Sequence, residues 1–183
     1  MANVLNGLHD DHKNIARVLA LLNNELETLA EVHSPDYELL EDIMRYVTGY
    51  PDTHHHPTED IVFQHLKERA PDTAAAIEHI LSEHHELAAS GRRFLAAVEA
   101  VEHEALVQRT ELLALGRAYA DLLRRHMDRE EGYLFPQARQ QLSASDWDEI
   151  DAEVEAQPDP LFGAAQRADF KRLWQRINDH APS

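Results

Sequence analysis

At 183 residues, 43% of them hydrophobic and only six of them glycine, the chain has enough apolar mass for one core and is too hydrophobic to be a disordered segment. Its 34 Asp and Glu against 17 Lys and Arg give a formal charge of −17 at pH 7, which repels phosphate backbones and anionic lipid and argues against nucleic-acid and membrane partners. With no cysteine, the chain has no disulfide, thiolate-bound zinc or thiol catalysis, so any metal chemistry rests on imidazole and carboxylate.

Residues 1–11 carry neither a basic nor an apolar leader pattern, and no run of about 18 apolar residues occurs, so a soluble cytoplasmic protein is expected. Leu5, Leu8, His12, Ile15, Leu19 and Leu22 step by three or four, which predicts a first helix from about Val4 to Glu31 with an imidazole in its apolar stripe. Ser34-Pro35 reads as a cap and first-turn proline opening a second helix. Pro51 and Pro57 lie inside that helix and predict a kink or break where His54, His55 and His56 cluster. Pro71-Asp72 opens a third helix whose stripe again contains an imidazole, His84, and whose end near 101–104 has no Gly or Pro to mark it. A fourth helix carries Leu112, Tyr119, His126, Glu130 and Leu134, with Pro136 bending its last turns. Ser143 or Ser145 caps a short fifth helix around Trp147 and Ile150, Pro158 and Pro160 make a linker, and Phe170, Leu173, Trp174 and Ile177 predict a final amphipathic helix. No strand-like alternation appears. The fold expected is all-α, an up-down-up-down four-helix bundle over residues 1–142, with residues 143–183 as a helical extension packed on it.

The chain also repeats itself. The acid-His pairs Asp11-His12 and Glu83-His84 lie 72 residues apart, and the His-x-x-x-Glu units His55/Glu59 and His126/Glu130 lie 71 apart. That order describes a duplicated helical hairpin. Residues four apart on a helix differ by about 40° in direction, so each unit presents an imidazole and a carboxylate to one side. With His12 and His84 from the other helices, four imidazoles and two carboxylates converge. Carboxylates that bridge and imidazoles that bind terminally make a dinuclear set, suited to iron with manganese or zinc as rivals. His79/Glu83 has the same spacing without the duplicated context and is set aside. On a regular helix His54 and His56 point away from His55. His9, His33, His65, His103 and His180 are expected at the surface and His85 exposed, while Asp10, Asp11, Asp60, Glu83 and Glu131 are expected in solvent, each able to accept the second N–H of a ligand imidazole.

Asp11-His12, the stretch from Tyr50 to Phe63, Glu83-His84 and the stretch from His126 to Pro136 resemble the bacterial hemerythrin-like domain, the HHE cation-binding domain, over roughly residues 5–142. The resemblance implies a four-helix bundle with an oxygen-bridged di-iron centre held by His12, His55, Glu59, His84, His126 and Glu130. Oxygen-carrying members have two His on the third helix and end in His-x-x-x-x-Asp, whereas this chain shows one third-helix His and His-x-x-x-Glu. Relatives of this pattern are associated with iron sensing, nitrosative stress and iron–sulfur repair, and repair proteins often carry a Cys-bearing N-terminal segment that is missing here.

The leading expectation is a non-haem di-iron protein that binds or reacts with O₂, NO or peroxide, with oxidase-like, peroxidase-like or NO-directed activity as the enzymatic form. Counting two imidazoles per ion leaves a replaceable position on both, which favours reaction over reversible oxygenation. A second reading is an iron-sensing module whose occupancy is the output, and a third is a structural, zinc-filled bundle.

Overall fold

The apolar stripes become helices, and the breaks between them follow the prolines. The computed structural model describes residues 3–31, 33–155, 157–163 and 168–179, and no strand occurs among them. No described helix is long and apolar enough to cross a membrane. His180 lies outside the described residues.

Helix α1 (Asn3–Ala30) runs unbroken and packs against α2 (Tyr37–Val47) and α5 (Arg109–Arg129). The start of α2 lies beyond the Ser34-Pro35 position read from the sequence. Its cap is Asp36, whose carboxylate accepts from the Leu39 amide at 3.0 Å while its own amide donates to Glu25 at 2.9 Å. A carboxylate is a strong cap and faces the positive end of the helix dipole, so Asp36 outcompetes Ser34.

The chain turns at Thr48-Gly49, enters a π-helical turn over Pro51–His55 and continues as α3 (His56–Arg69). A second π turn, Glu130–Leu134, joins α5 to α6 (Phe135–Gln141). Both turns have one cause. His56 and Phe135 each stand directly before a proline and donate to the carbonyl five residues back, on Pro51 and Glu130 respectively. The wider turn relieves the clash that a proline ring makes with the carbonyl four residues earlier.

Helix α4 (Ala74–Glu102) follows a 3₁₀ turn at Pro71–Thr73 and packs on α5, α2 and α3. Its end needs no glycine. The Glu104 amide donates to Val101 O at 3.0 Å and the Ala105 amide to Ala100 O at 2.9 Å, with Glu104 itself at φ 61°. This closes the last turn through a left-handed residue, the position that glycine usually fills.

The buried side chains form two apolar clusters, and a polar layer lies between them in sequence on every long helix. On α1, Leu8 belongs to one cluster and Ile15 to the other, with His12 between; on α4, Ile80 and Leu87 flank His84 in the same way. Val47 and Val62 bracket His55 and Glu59, and Leu123 and Leu134 bracket His126 and Glu130.

Beyond α6, helix α7 (Ala144–Glu153) opens with a capping box between Ser143 and Asp146 and packs Trp147 and Ile150 with Phe63 and Leu66 of α3. Arg69 holds Asp146 with two hydrogen bonds, 2.9 and 2.6 Å. Helix α8 (Lys171–Asp179) lies on α2 and α1 through Leu173 and Ile177. Between them Asp159 is pinned: Tyr46 donates its hydroxyl to one carboxylate oxygen at 2.9 Å, and the amides of Leu161 and Phe162 donate to the other at 2.7 and 3.0 Å.

A left-handed non-glycine residue is strained by its Cβ. Glu104→Gly is therefore expected to raise stability by about 0.5–1 kcal/mol after the added freedom of the unfolded chain is counted, since Glu104 is exposed and makes no buried contact. Thermal melts should show a rise of roughly 1–4 °C, and a fall would remove the strain argument.

Candidate metal centre

His12 comes from α1, His55 from the first π turn, Glu59 from α3, His84 from α4, His126 from α5 and Glu130 from the second π turn. The structure brings all six together. Glu59 Oε1 lies 3.4 Å from His12 Nε2 and 3.3 Å from His55 Nε2, and its Oε2 lies 3.5 Å from His84 Nε2. Glu130 Oε2 lies 3.4 Å from His12 Nε2 and 3.2 Å from His126 Nε2, and its Oε1 lies 3.5 Å from His84 Nε2. Both glutamates are fully buried at 0% exposure.

All four carboxylate oxygens, together with Nε2 of His12, His84 and His126, are buried with no hydrogen-bond partner among the described residues. Leaving a buried carboxylate unpaired costs several kcal/mol, so this arrangement calls for a cation to complete it. The donor atoms form two groups, each within 4.8 Å: His12, His55 and Glu59 in one, His56, Glu59, His84 and His126 in the other. Glu59 is common to both, and a carboxylate offers one oxygen to each of two neighbouring cations.

His56 corrects the sequence reading. It is buried, its ring stacks on His84 at 4.4 Å and 13°, and it meets His126 edge-on at 5.4 Å. The expectation that it points away considered only its neighbour His55. His56 also stands three residues before Glu59, a spacing that shares a helix face, and that signal was present in the sequence. The two candidate groups are unequal in imidazoles: one has His12 and His55, the other has His56, His84 and His126. His54 is half-buried and accepts from the Gln157 amide at 3.4 Å, and His85 is exposed as expected.

Each Nδ1 faces a carboxylate. Asp11 Oδ2 lies 3.1 Å from His55, Asp60 Oδ1 2.8 Å from His84 and Glu131 Oε1 2.8 Å from His12, while Glu83 Oε2 lies 3.5 Å from His126 and Asp52 Oδ1 3.5 Å from His56. For His12, His55 and His84 the carboxylate accepts the Nδ1 proton and leaves Nε2 as the lone-pair nitrogen facing Glu59 or Glu130, whereas His126 Nδ1 and Glu83 Oε2 face each other without a hydrogen bond. The pairing follows the repeat. The acid before each lone His, Asp11 or Glu83, serves the His-x-x-x-Glu imidazole of its own half; the acid after each buried glutamate, Asp60 or Glu131, serves the lone His of the other half. Glu83 is buried and also held by Arg129 and by His79 at 3.4 Å, so its expected solvation is corrected too. Glu131 takes a second imidazole, His9, at 2.8 Å, and Tyr50 donates its hydroxyl to Asp11 at 3.4 Å.

The electrostatics are those of carboxylates waiting for positive charge. Burial works against charge on His12, but Glu130 and Glu59 outweigh it and raise its pKa to about 11. Against the same burial, Asp60, Glu130 and Glu59 raise His84 to about 11, and Glu59 and Asp11 raise His55 to about 9. For His126 burial wins and lowers the pKa to about 4, and burial lowers His56 as well. Burial also opposes charge on Glu59, yet His55 and His12 hold it well below the usual carboxylate range; Glu130 is lowered by His126, His12 and His84 against burial and the Glu59 charge.

These shifts give chelated protein a bell-shaped stability. His12, His55 and His84 stabilise fully below the unfolded histidine value of about 6.5, and the contribution is lost as pH rises toward 9 and then 11. His56 and His126 are neutral in the fold, so stability is lost as pH falls below about 6.5 toward 4, and Glu59 and Glu130 add to the loss below 4.5. Thermal melts of chelated protein should peak near pH 6.5 and decline on both sides, and added divalent metal should flatten the alkaline limb by taking the place of the protons. A melting temperature that rises steadily from pH 6.5 to 9 without metal would contradict this.

The model of the Hemerythrin HHE cation binding domain matches residues 3–138. No curated protein matches the chain.

Proposed function

This chain belongs to the hemerythrin HHE cation-binding family, and we propose that it holds two iron ions about Glu59 and Glu130 and uses them to bind or react with a small ligand, O₂, NO or peroxide. The observation that supports the reading is the pair of donor groups sharing Glu59, with both glutamates buried and their oxygens unpaired. His12 and His55 would hold one ion and His56, His84 and His126 the other, with Glu59 and Glu130 between them. Mixed imidazole and carboxylate donors suit iron over softer metals. We take residues 1–142 as an up-down-up-down bundle, with residues 143–183 laid against it.

Bound iron supplies Lewis acidity and one-electron redox chemistry. The chain supplies the rest. Asp11, Asp60 and Glu131 hold their imidazoles with Nε2 inward, so donors are oriented before a cation arrives. The apolar clusters on either side of the layer keep bulk water out and confine access to small molecules. With three imidazoles in one group and two in the other, the His12/His55 side is the one that would have room for a small ligand.

The iron-sensing reading draws on the same burial. Donors arrive from α1, α3, α4 and α5, so occupancy feeds directly into folding free energy. Anaerobic reduction followed by exposure to O₂ or NO, monitored in the visible and near-ultraviolet, separates the two: ligand-dependent bands support a reactive centre, and a spectrum unchanged by either gas leaves occupancy as the output.

Protein expressed in iron-replete medium should contain close to two iron equivalents, as six or seven donors exceed what one tetrahedral ion takes. A reproducible single equivalent of tetrahedral zinc would sink the dinuclear reading. Of the single variants, His126→Ala and Glu130→Ala should lose metal together with much thermal stability. His56→Ala should lose metal from the three-imidazole side, whereas His79→Ala, a change at an exposed side chain, should leave the metal content close to that of the unaltered protein. Equal metal content in the His56 and His79 variants would remove His56 from the donor set.

A further inference from the structure

The 71-residue repeat that pairs His55 with His126 and Glu59 with Glu130 also pairs His56 with Met127, and Asp52 with Leu123. The local register is the same in both halves. His56 and Met127 each follow the imidazole of a His-x-x-x-Glu unit and precede its glutamate by three residues, so each lies on the glutamate's own helix face. Both are buried, at 5% and 8% exposure. His56, facing Asp52 at 3.5 Å, supplies the third imidazole of its group. In the other half a thioether stands for the imidazole and Leu123 for the carboxylate, so a polar pair is replaced by an apolar one. Met127 and Leu123 belong to the apolar cluster that also holds Ile15, one turn along α1 from His12. The other imidazoles and their Nδ1 acceptors obey the repeat, so this exchange is what makes the two sides of the centre unequal.

We propose that Met127 is the residue that determines which small ligand the centre accepts. Resting on the dinuclear reading above, it takes the register position of a third imidazole on the His12/His55 side without offering one, which leaves that side to an exogenous ligand. It also makes that side apolar. A thioether donates no hydrogen bond and Leu123 behind it offers none, so an anionic ligand finds no donor there while an uncharged diatomic loses nothing. The acids around the imidazoles reinforce the bias against anions. The ligand class is therefore an uncharged diatomic such as NO or O₂.

The experiment uses full-length protein loaded with iron, each sample first shown to contain two equivalents. The probes are NO on the reduced form and azide on the oxidised form, both followed by absorbance. Wild type should bind NO and bind azide weakly. M127L should match it. M127H should keep two irons and lose affinity for both probes by roughly tenfold or more, because the added imidazole competes for the exchangeable position. M127Q should bind azide more tightly than M127L, its amide supplying the missing donor. M127H with two irons and unchanged affinities would overturn the proposal, as would M127L losing as much as M127H. If M127H fails to fold, the M127Q and M127L comparison decides, equal azide affinity counting against the proposal. Wild type holding fewer than two irons is a failure of the dinuclear reading itself, distinct from these outcomes.

Discussion

Two carboxylates with no exposed surface and no hydrogen-bond donor set the terms for everything around them. Glu59 and Glu130 carry charge inside a low-dielectric interior, and among the described residues the groups that approach their oxygens are imidazole Nε2 atoms, His12 and His84 from other helices and His55 and His126 from one turn earlier in the same segment. Such a pair is tolerable only when positive charge is shared among its surroundings, either as protons on His12, His55 and His84 or as bound cations. The core is divided in two to make room for this layer. Apolar packing on each side of it contributes the stability that offsets burying the charges.

Duplication explains how a short chain assembles so many donors in register. One hairpin cannot surround a carboxylate; two hairpins sharing a pattern can, and the sharing extends to the outer acids. Asp60 and Glu131 each cross from one half to the lone imidazole of the other, so neither half is complete without its partner. The prolines do not respect the repeat. Pro57 stands two residues after its His and Pro136 ten after its own, so the first π turn ends on His55 whereas the second begins on Glu130. Each wide turn therefore carries one donor, and the two are different donors.

The segment beyond α6 leaves the centre untouched and braces the helices that carry it. Trp147 and Ile150 close the apolar cluster beside α3, Asp159 receives the buried hydroxyl of Tyr46, and α8 clamps α2 through Arg172, which bonds Glu38 and Asp42. The family match ends at residue 138, before this bracing begins.

How much of this was legible in the sequence depended on whether a local rule decided it. Helical periodicity and the duplicated spacing were enough to find His12, His55, Glu59, His84, His126 and Glu130, because the direction of a side chain on a helix follows from its position alone. Capping chemistry narrowed the start of α7 to Ser143 or Ser145, of which Ser143 is the cap, and prolines located the two irregular turns, for the same reason. The start of α2 was misjudged because Ser34 and Asp36 could both cap, and the helix dipole together with the contact to Glu25 favours Asp36. The burial of His56 was missed because direction does not reveal what lies opposite: its face is shared by Glu59, but only the approach of α4, with His84 against the ring, brings a flanking histidine into the buried layer. The acids facing Nδ1 were narrowed to five neighbours of the ligand positions, but which imidazole each of Asp11, Asp60, Glu83 and Glu131 faces, and that Asp10 faces none, required distances between helices. The sequence by itself determined the helices, the repeat and the inward direction of the six residues in the duplicated pattern, all consequences of backbone geometry. Tertiary structure alone decided which inward groups meet, and so made one side of the centre richer in imidazole than the other.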